Sequence, residues 1–400
     1  MSLVGLFVMF AIAYALSSNR KKIQWRTVLT GTALQLILGL LILKTATGQK
    51  VFEGARRGFE NLLSYTNEGS AFIFGSLIDP TRYGFIFFTM VLPTILFMSA
   101  LMSVLYHLGV MQIVIKFVAR VMMKVMGTSG TESLAAAANI FAGQTEAPLV
   151  VKPFIGKMTQ SELMALMTGG MATVAGGVLA AYVGFGIDGG HLLAASVMSA
   201  PAALVCAKLM VPETEVSLTG GDLKIALEKD TVNIIDAAAK GASEGLKLAL
   251  NVGAMLLAFI ALIAMINGLL GFVGSLVGLE FLSLEWIMGY LFSPLAFLMG
   301  VPWADAHIVG VLLGKKLILN EFVAYLDLKD QMINLSPRSI IISTYALCGF
   351  ANFSSIAIQV GGIGVLAPER RQDLARLGVK SLIAGTLACF MTACIAGLLI

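Results

Sequence analysis

The sequence predicts an all-α integral membrane protein whose two halves repeat one another in inverted orientation, each half carrying a re-entrant helical hairpin. Three observations predict it. Runs of about 20 apolar residues recur along the chain, the length that crosses a bilayer. Two pairs of shorter apolar pieces flank polar tips, and the order of pieces around the first tip returns around the second.

The spans come first. Of 400 residues, 58% are hydrophobic and 12% charged, against roughly 25% charged in soluble domains. Apolar runs predict spans at Thr27–Leu43, Gly84–Tyr106, His191–Met210, Leu248–Ile266 and Leu377–Ile400. Leu3–Leu16 is shorter, but no basic residue precedes it and no small-residue cleavage site is evident, so it reads as a first span rather than a signal peptide. Pro93 predicts a kink in the third span. Val110–Met126 spaces Lys116, Arg120 and Lys124 four apart, and Val51–Tyr65 sets Phe52, Ala55, Phe59 and Leu62 on one side. Both read as helices lying along a membrane interface.

The net charge of +4 is informative through its placement. Arg20, Lys21, Lys22 and Arg26 lie between the first two spans, and Arg370, Arg371, Arg376 and Lys380 precede the last. Short basic loops face the cytoplasm, so the N-terminus is expected outside and the last span runs outward. The long polar connection Pro212–Asp230 then falls on the cytoplasmic side. This charge sets topology and implies no nucleic-acid partner. Cys206, Cys348, Cys389 and Cys394 sit in apolar stretches without C-x-x-C spacing, and His107, His191 and His307 are scattered. Neither set reads as a metal site.

"TESLAAAANIFA" and "LVVKPFIG" flank Gly143–Pro148 (GQTEAP), and "ADAHIVGVLLG" and "EFVAYLDL" flank "KKLILN". Apolar pieces this short read as re-entrant or buried rather than spanning. After each pair comes a helix-start signal: Thr159 with Glu162 makes a capping box, and Ser336 precedes Pro337. Each following run then reaches a polar break, Gly170-Met-Ala-Thr-Val-Ala-Gly-Gly in one half and Gly349-Phe-Ala-Asn-Phe-Ser-Ser-Ile in the other. A long span and a shorter helix, Val110–Met126 or Leu284–Met299, precede each hairpin. An odd number of spans per unit turns the second unit upside down. Paired broken segments in two inverted halves point to a midplane binding site of a transporter.

Charges at mid-membrane cost about 2.5–3.5 kcal/mol on insertion scales and mark function by default. Glu146 and Glu321 occupy the two tips; Asn139, Gln144, Thr145, Thr173, Asn352, Ser354 and Ser355 add neutral donors and acceptors. Carboxylates accept hydrogen bonds from sugar hydroxyls, while amides and hydroxyls pair with the edge of a heterocycle. No Arg or Lys cluster offers a counter-charge to phosphates or dicarboxylates, so the expected substrate is a neutral polar molecule of modest size. Asn251, Asn267 and Gln359 read as polar glue between helices. Lys315, Lys316, Asp305 and His307 read as snorkelling or surface groups.

The stretches Ala137–Phe154 (AANIFAGQTEAPLVVKPF), Asn320–Tyr325 (NEFVAY) and Cys348–Ile358 (CGFANFSSIAI) resemble the concentrative nucleoside transporters, and the similarity covers essentially the whole chain. It is especially close to the sodium-coupled bacterial members. The resemblance implies eight transmembrane helices per protomer, a homotrimer in the bacterial inner membrane, and an elevator-type mechanism. It implies a scaffold of residues 1–108 and 213–300 and a transport domain of residues 109–212 and 301–400. Gln144 and Thr145 would hold the nucleobase with Val178 against it; Glu321, Asn352 and Ser355 would hold the ribose, and Glu146 would join through water. Phe350 would close over the base, and Leu248 would add an apolar wall. Sodium, the only cofactor implied, would take the Asn139 side chain, the Thr173 hydroxyl and the carbonyls of Ala142 and Val174. Thr173 stands where some relatives carry serine and keeps the hydroxyl. Uridine, cytidine and adenosine are the kind of substrate expected.

Other classes remain beside this one. Proton coupling is the alternative for the same transport. An intramembrane hydrolase would use Gly241-Ala-Ser-Glu-Gly, yet that motif needs a strand before its serine and "IIDAAAK" is helical in composition. Glycine-mediated helix packing accounts for Gly241 and Gly245. A passive channel would need a continuous polar lining rather than polar groups clustered at paired breaks.

Overall fold

The computed structural model describes residues 1–83, 86–218, 231–279 and 281–400, and every regular element among them is helical. The second part of the expected polar connection, residues 219–230, lies outside the described residues.

α1 (Ser2–Ala15) and α2 (Trp25–Lys44) are followed by α3 (Ala46–Ser64), which starts five residues before its expected beginning. Thr45 accounts for the early start: its hydroxyl accepts from Gly48 N at 2.9 Å and caps the first turn. After α4 (Thr66–Phe74), the third span is divided. A turn at Phe87–Met90 is separated by Val91 from α5 (Leu92–His107), and Pro93 stands at the start of α5. Proline has no N–H to lose in a first helical turn, so the expected kink is a restart.

α6 (Val110–Met126) buries Met111, Ile115, Ala119, Met122 and Met126 and leaves Lys116, Arg120 and Lys124 exposed. Its amphipathic pattern is real, and it ends at Gly127 in the left-handed region. α7 (Gly130–Asn139) opens the first hairpin on a capping box, Ser129 with Glu132, that the sequence carried in plain view. A buried ionic cluster anchors its base. Lys208 pairs with Glu132 and Glu213 and donates to Ser161 Oγ at 2.9 Å.

α8 (Gln160–Ala172), α9 (Gly176–Gly184) and α10 (Gly189–Met210) come next, α8 capped by the expected Thr159–Glu162 box. α11 runs 44 residues, Ile234–Val277, about 66 Å at 1.5 Å per residue and roughly twice the bilayer's apolar thickness. The expected span Leu248–Ile266 is its middle. Gly241 and Gly245 pack against α5: added Cβ atoms would stand 2.6 Å from Ser99 O and 2.8 Å from Ser99 Cβ. Ser243 lies within this helix, its hydroxyl donating to Ala239 O at 2.9 Å. No nucleophile elbow forms there.

The second half contains α12 (Leu284–Met299), α13 (Trp303–Ile318), α14 (Glu321–Gln331), α15 (Pro337–Leu347), α16 (Phe353–Leu366) and α17 (Arg371–Leu399). α12 and α13 meet at a bend of 117°. They approach closely because Gly310 faces the Gly289 carbonyl, where a Cβ would lie 2.4 Å from the oxygen. Among the described residues six helices are long and apolar enough to cross a membrane, or seven with the bent pair counted as one span. The core gathers α8, α10 and α17, with α1 and α2 against them; Gln35 Nε2 on α2 donates to Thr392 Oγ1 on α17 at 2.8 Å.

Candidate functional site

The first tip forms because the chain cannot stay helical past Asn139. Residues 140–146 leave regular helix, and Ala147–Val150 and Lys152–Ile155 return as two short turns, each with proline in its first two positions. Of the six tip residues Gly143–Pro148, Gly143–Glu146 are unwound; Ala147 and Pro148 begin the return arm. Pro148 therefore starts a helix rather than stopping one. Gly143 is not in the left-handed region; it permits close approach, since a Cβ there would come within 3.2 Å of Ala175 Cβ.

The second tip is tighter than "KKLILN" suggested. α13 continues through Lys315–Ile318, leaving only Leu319 and Asn320. Lys315 pairs with Asp327 at 2.9 Å, tying the two arms, and Asn320 Oδ1 accepts from Val323 N at 2.9 Å to cap α14. Glu321 is the first residue of that arm.

The two helix breaks cross. α8 ends at Ala172 and α15 at Leu347, and Phe350 N donates to Thr173 O at 3.3 Å. Gly349 has φ 142°, a left-handed conformation, and a Cβ there would meet Cys389 Sγ at 2.7 Å and Met171 O at 2.8 Å. Only glycine serves at this crossing.

Around it the tips and breaks share hydrogen bonds. Gln144 Nε2 donates to Ser355 Oγ at 3.1 Å. Asn352 caps α16 by accepting from Ser355 N at 2.9 Å, and its Nδ2 donates to Glu321 Oε2 at 3.0 Å. Tyr182 OH donates to the other oxygen, Oε1, at 3.0 Å. Tyr182 lies one helical turn beyond Val178, so both belong to one face of α9; both are buried. Phe350 is half-buried at the crossing. Thr145 and Glu146 are exposed at the first tip, and the side-chain hydrogen bond of Glu146 is to Gly143 N at 3.0 Å. Glu146 thus bonds within the broken tip itself.

Asn139 is wholly buried, yet neither Oδ1 nor Nδ2 has a hydrogen-bond partner. An orphaned buried amide costs about 1–3 kcal/mol, and its oxygen fits a hard monovalent cation. Ala142, Thr173 and Val174 are buried beside the break. The Thr173 hydroxyl donates to Gly169 O at 2.8 Å and keeps its lone pairs available. The donors are neutral oxygens, and among the described residues no cluster of His, Cys, Asp or Glu forms a metal site.

Several roles escaped the sequence. Gln359 is glue of a specific kind: its Nε2 donates to Gln144 Oε1 at 3.2 Å and to Met167 O at 3.0 Å. It lies two turns beyond Asn352 on α16, a periodic signal present in the residue order. Tyr182 carried no signal of its own. Lys316 does not snorkel; it is buried, and Nζ donates to Ala346 O at 2.8 Å. Asp305 accepts from Ser336 N at 3.1 Å and Ser339 Oγ at 2.6 Å, tying α13 to α15. Asn267 is glue as expected, donating to Glu285 at 2.8 Å.

Fold and site together define a helical membrane carrier, with polar groups gathered at paired breaks instead of lining a pore. Comparison with known proteins makes this specific. Residues 4–77 and 191–397 match the family profiles described as Na+ dependent nucleoside transporter N-terminus and C-terminus, and residues 88–188 match one described as nucleoside recognition. The chain is 46% identical over 409 residues to the nucleoside permease NupC of Helicobacter pylori, covering 100% of this chain and 97% of the relative. Among solved structures it is similar to CNTnw in an inward-facing substrate-bound state, with a TM-score of 0.95, 49% identity, and coverage of 100% of this chain and 97% of that one. An outward-facing CNTnw variant is as similar, with a TM-score of 0.95, 48% identity and the same coverage. The chain belongs to the concentrative nucleoside transporter family. It is a transporter rather than an enzyme, of a family that is Na+ dependent and visits both inward- and outward-facing states.

Proposed function

We propose that the protein imports nucleosides by sodium symport, the hairpins and broken helices moving as a transport domain in an elevator-type cycle. The observation that carries this reading is the convergence of both tips on both breaks. Gln144 reaches Ser355, and Glu321 is held by Asn352 and Tyr182, beside the orphaned Asn139.

In this reading Gln144, Thr145 and Val178 meet the base, with Phe350 over it and Leu248 as an apolar wall. Glu321, Asn352 and Ser355 exchange part of their mutual hydrogen bonding for the ribose hydroxyls. Glu146 joins through water, which suits its exposed position on the tip. Asn139, Thr173 and the carbonyls of Ala142 and Val174 take the sodium. Sodium loading would then order the first tip against the α8 break and complete the nucleoside site, which is how symport couples the two.

The scaffold comprises residues 1–108 and 213–300 and the transport domain residues 109–212 and 301–400. The buried Gln35–Thr392 hydrogen bond joins the two bodies, so an elevator movement has to break it or carry α2 along. α11 leaves its apolar window only 6% buried within one chain, against 94% for α8–α9, surface for lipid or for a neighbouring protomer of the proposed homotrimer to cover. Eight spans, the inverted repeat, an external N-terminus and a bacterial inner-membrane location complete the reading.

Uridine uptake into proteoliposomes under an imposed sodium gradient tests it. Uphill accumulation that follows sodium and ignores a pH gradient is expected. Uptake that tracks pH and ignores sodium would establish proton coupling instead, and dissipative flux alone would make the protein a channel. Free uracil, lacking ribose, should not compete.

A further inference from the structure

In each half, one side chain from the first hairpin arm reaches the last turn of the half-helix that ends at the break. In the first half it is Asn139, the final residue of α7. Its amide lies against Gly169 near the end of α8, where an added Cβ would stand 2.8 Å from Nδ2, and both amide atoms lack partners. In the second half it is Lys316, close to the end of α13. Its Nζ donates at 2.8 Å to the carbonyl of Ala346, the residue before α15 ends.

The two positions pose the same electrostatic problem. A helix C-terminus carries roughly half a negative charge and up to four unpaired carbonyls, and in a membrane interior these must be satisfied within the protein. A buried ammonium, conversely, is costly unless it is paired. Lys316 is 2% exposed; its hydrogen-bond partner is the Ala346 carbonyl at the end of α15, and the Glu321 carboxylate lies near enough to interact with it electrostatically. What a bound cation does at the first break, an ammonium fixed to the chain does at the second.

We propose that Lys316 is a tethered cation occupying, in the second half, the place that exchangeable sodium takes in the first. The protein therefore couples to one sodium, and its second break stays neutralised and assembled throughout the cycle. This rests on the sodium-symport reading above. Lys316 is a positioning residue. It fixes the end of α15 and hence the crossing at Gly349–Asn352, without touching substrate.

The test is uridine binding to the purified protein, measured by calorimetry over a range of sodium concentrations with choline holding ionic strength constant. Below saturation, one linked ion makes affinity rise about tenfold per tenfold increase in sodium, and two make it rise about a hundredfold. Wild type and Lys316→Arg should both show the one-ion slope. Lys316→Gln should show the two-ion slope, because its amide oxygen leaves a cation-sized place beside the Ala346 carbonyl. A Lys316→Gln protein that keeps the one-ion slope, at whatever affinity, overturns the proposal, as does a wild type with the two-ion slope. A wild type insensitive to sodium refutes the symport reading instead. Should Lys316→Gln fail to fold, current measurement on wild-type proteoliposomes decides: one positive charge per uridine is expected, and two overturn the tethered-cation assignment.

Discussion

Hairpin 1 turns through residues 140–146, and its return arm is interrupted at Val151; hairpin 2 turns through Leu319 and Asn320 and returns in an unbroken helix of 11 residues. The cause is chemical. The first tip strings together Gly143, Gln144, Thr145 and Glu146, and Pro148 and Pro153 remove backbone donors from the return arm. The second tip has helix formers up to its last two residues, a capping asparagine, and the Lys315–Asp327 pair between its arms. Exposure divides the same way: Thr145 and Glu146 are exposed, whereas Asn320 and Glu321 are buried. The comparison teaches a division of labour. The second hairpin presents one buried carboxylate from a short, cross-braced turn; the first presents an unwound tip, which in the proposed function would exchange its bonds for base, water and ion.

The largest expected effect is on the second hairpin. Glu321→Ala should lower uridine uptake by about 10³-fold or more in a protein whose size-exclusion profile matches wild type, because a site built for hydroxyls discriminates by up to about 10⁴–10⁵ and Tyr182 and Asn352 lose their acceptor. Uptake within tenfold of wild type would break the comparison at its root. Next comes the coupling ion. Asn139→Leu should remove sodium stimulation altogether, together with the accumulation it drives. One charge moving through 100 mV is worth about 2.3 kcal/mol, close to fifty-fold in concentration. Glu146→Gln should leave a folded protein with uptake impaired by about tenfold or more, a smaller loss than at Glu321 because the carboxylate hydrogen-bonds within its own tip, to Gly143 N, and acts through water. An equal or greater loss would place the main ribose contact on the first tip. Tyr182→Phe, which removes one hydrogen bond to Glu321, should cost about 1 kcal/mol, roughly fivefold in uridine affinity. A calorimetric titration with no change would show that Glu321 does not need its tyrosine.

Much of this was legible in residue order. The capping boxes, the apolar runs and the two polar breaks are local signals, set by side chains within a few positions of one another. Thr159 with Glu162 and Ser336 before Pro337 act as expected. The limits of the second tip were not legible, because the helix through Lys315–Ile318 is stabilised by a partner on the opposite arm. Nor was the length of α11, whose N-terminal part packs against α5 through Gly241 and Gly245 and which runs on to a left-handed Gly278.

The sequence by itself determined the membrane class and the two polar tips with their helix breaks, and it singled out Gln144, Glu146, Glu321, Asn352 and Asn139 as the candidates for carrying chemistry. A polar group in an apolar run is costly wherever the chain folds, so its function is announced by its cost. Only the tertiary structure decided which of these groups meet. Gln144 and Ser355 are separated by 211 positions, and Tyr182 and Glu321 by 139. It also decided that Gln359 orients Gln144 and that Lys316 serves a helix end rather than the membrane surface. Such assignments depend on distances between segments far apart in sequence, and residue order carries no measure of those distances.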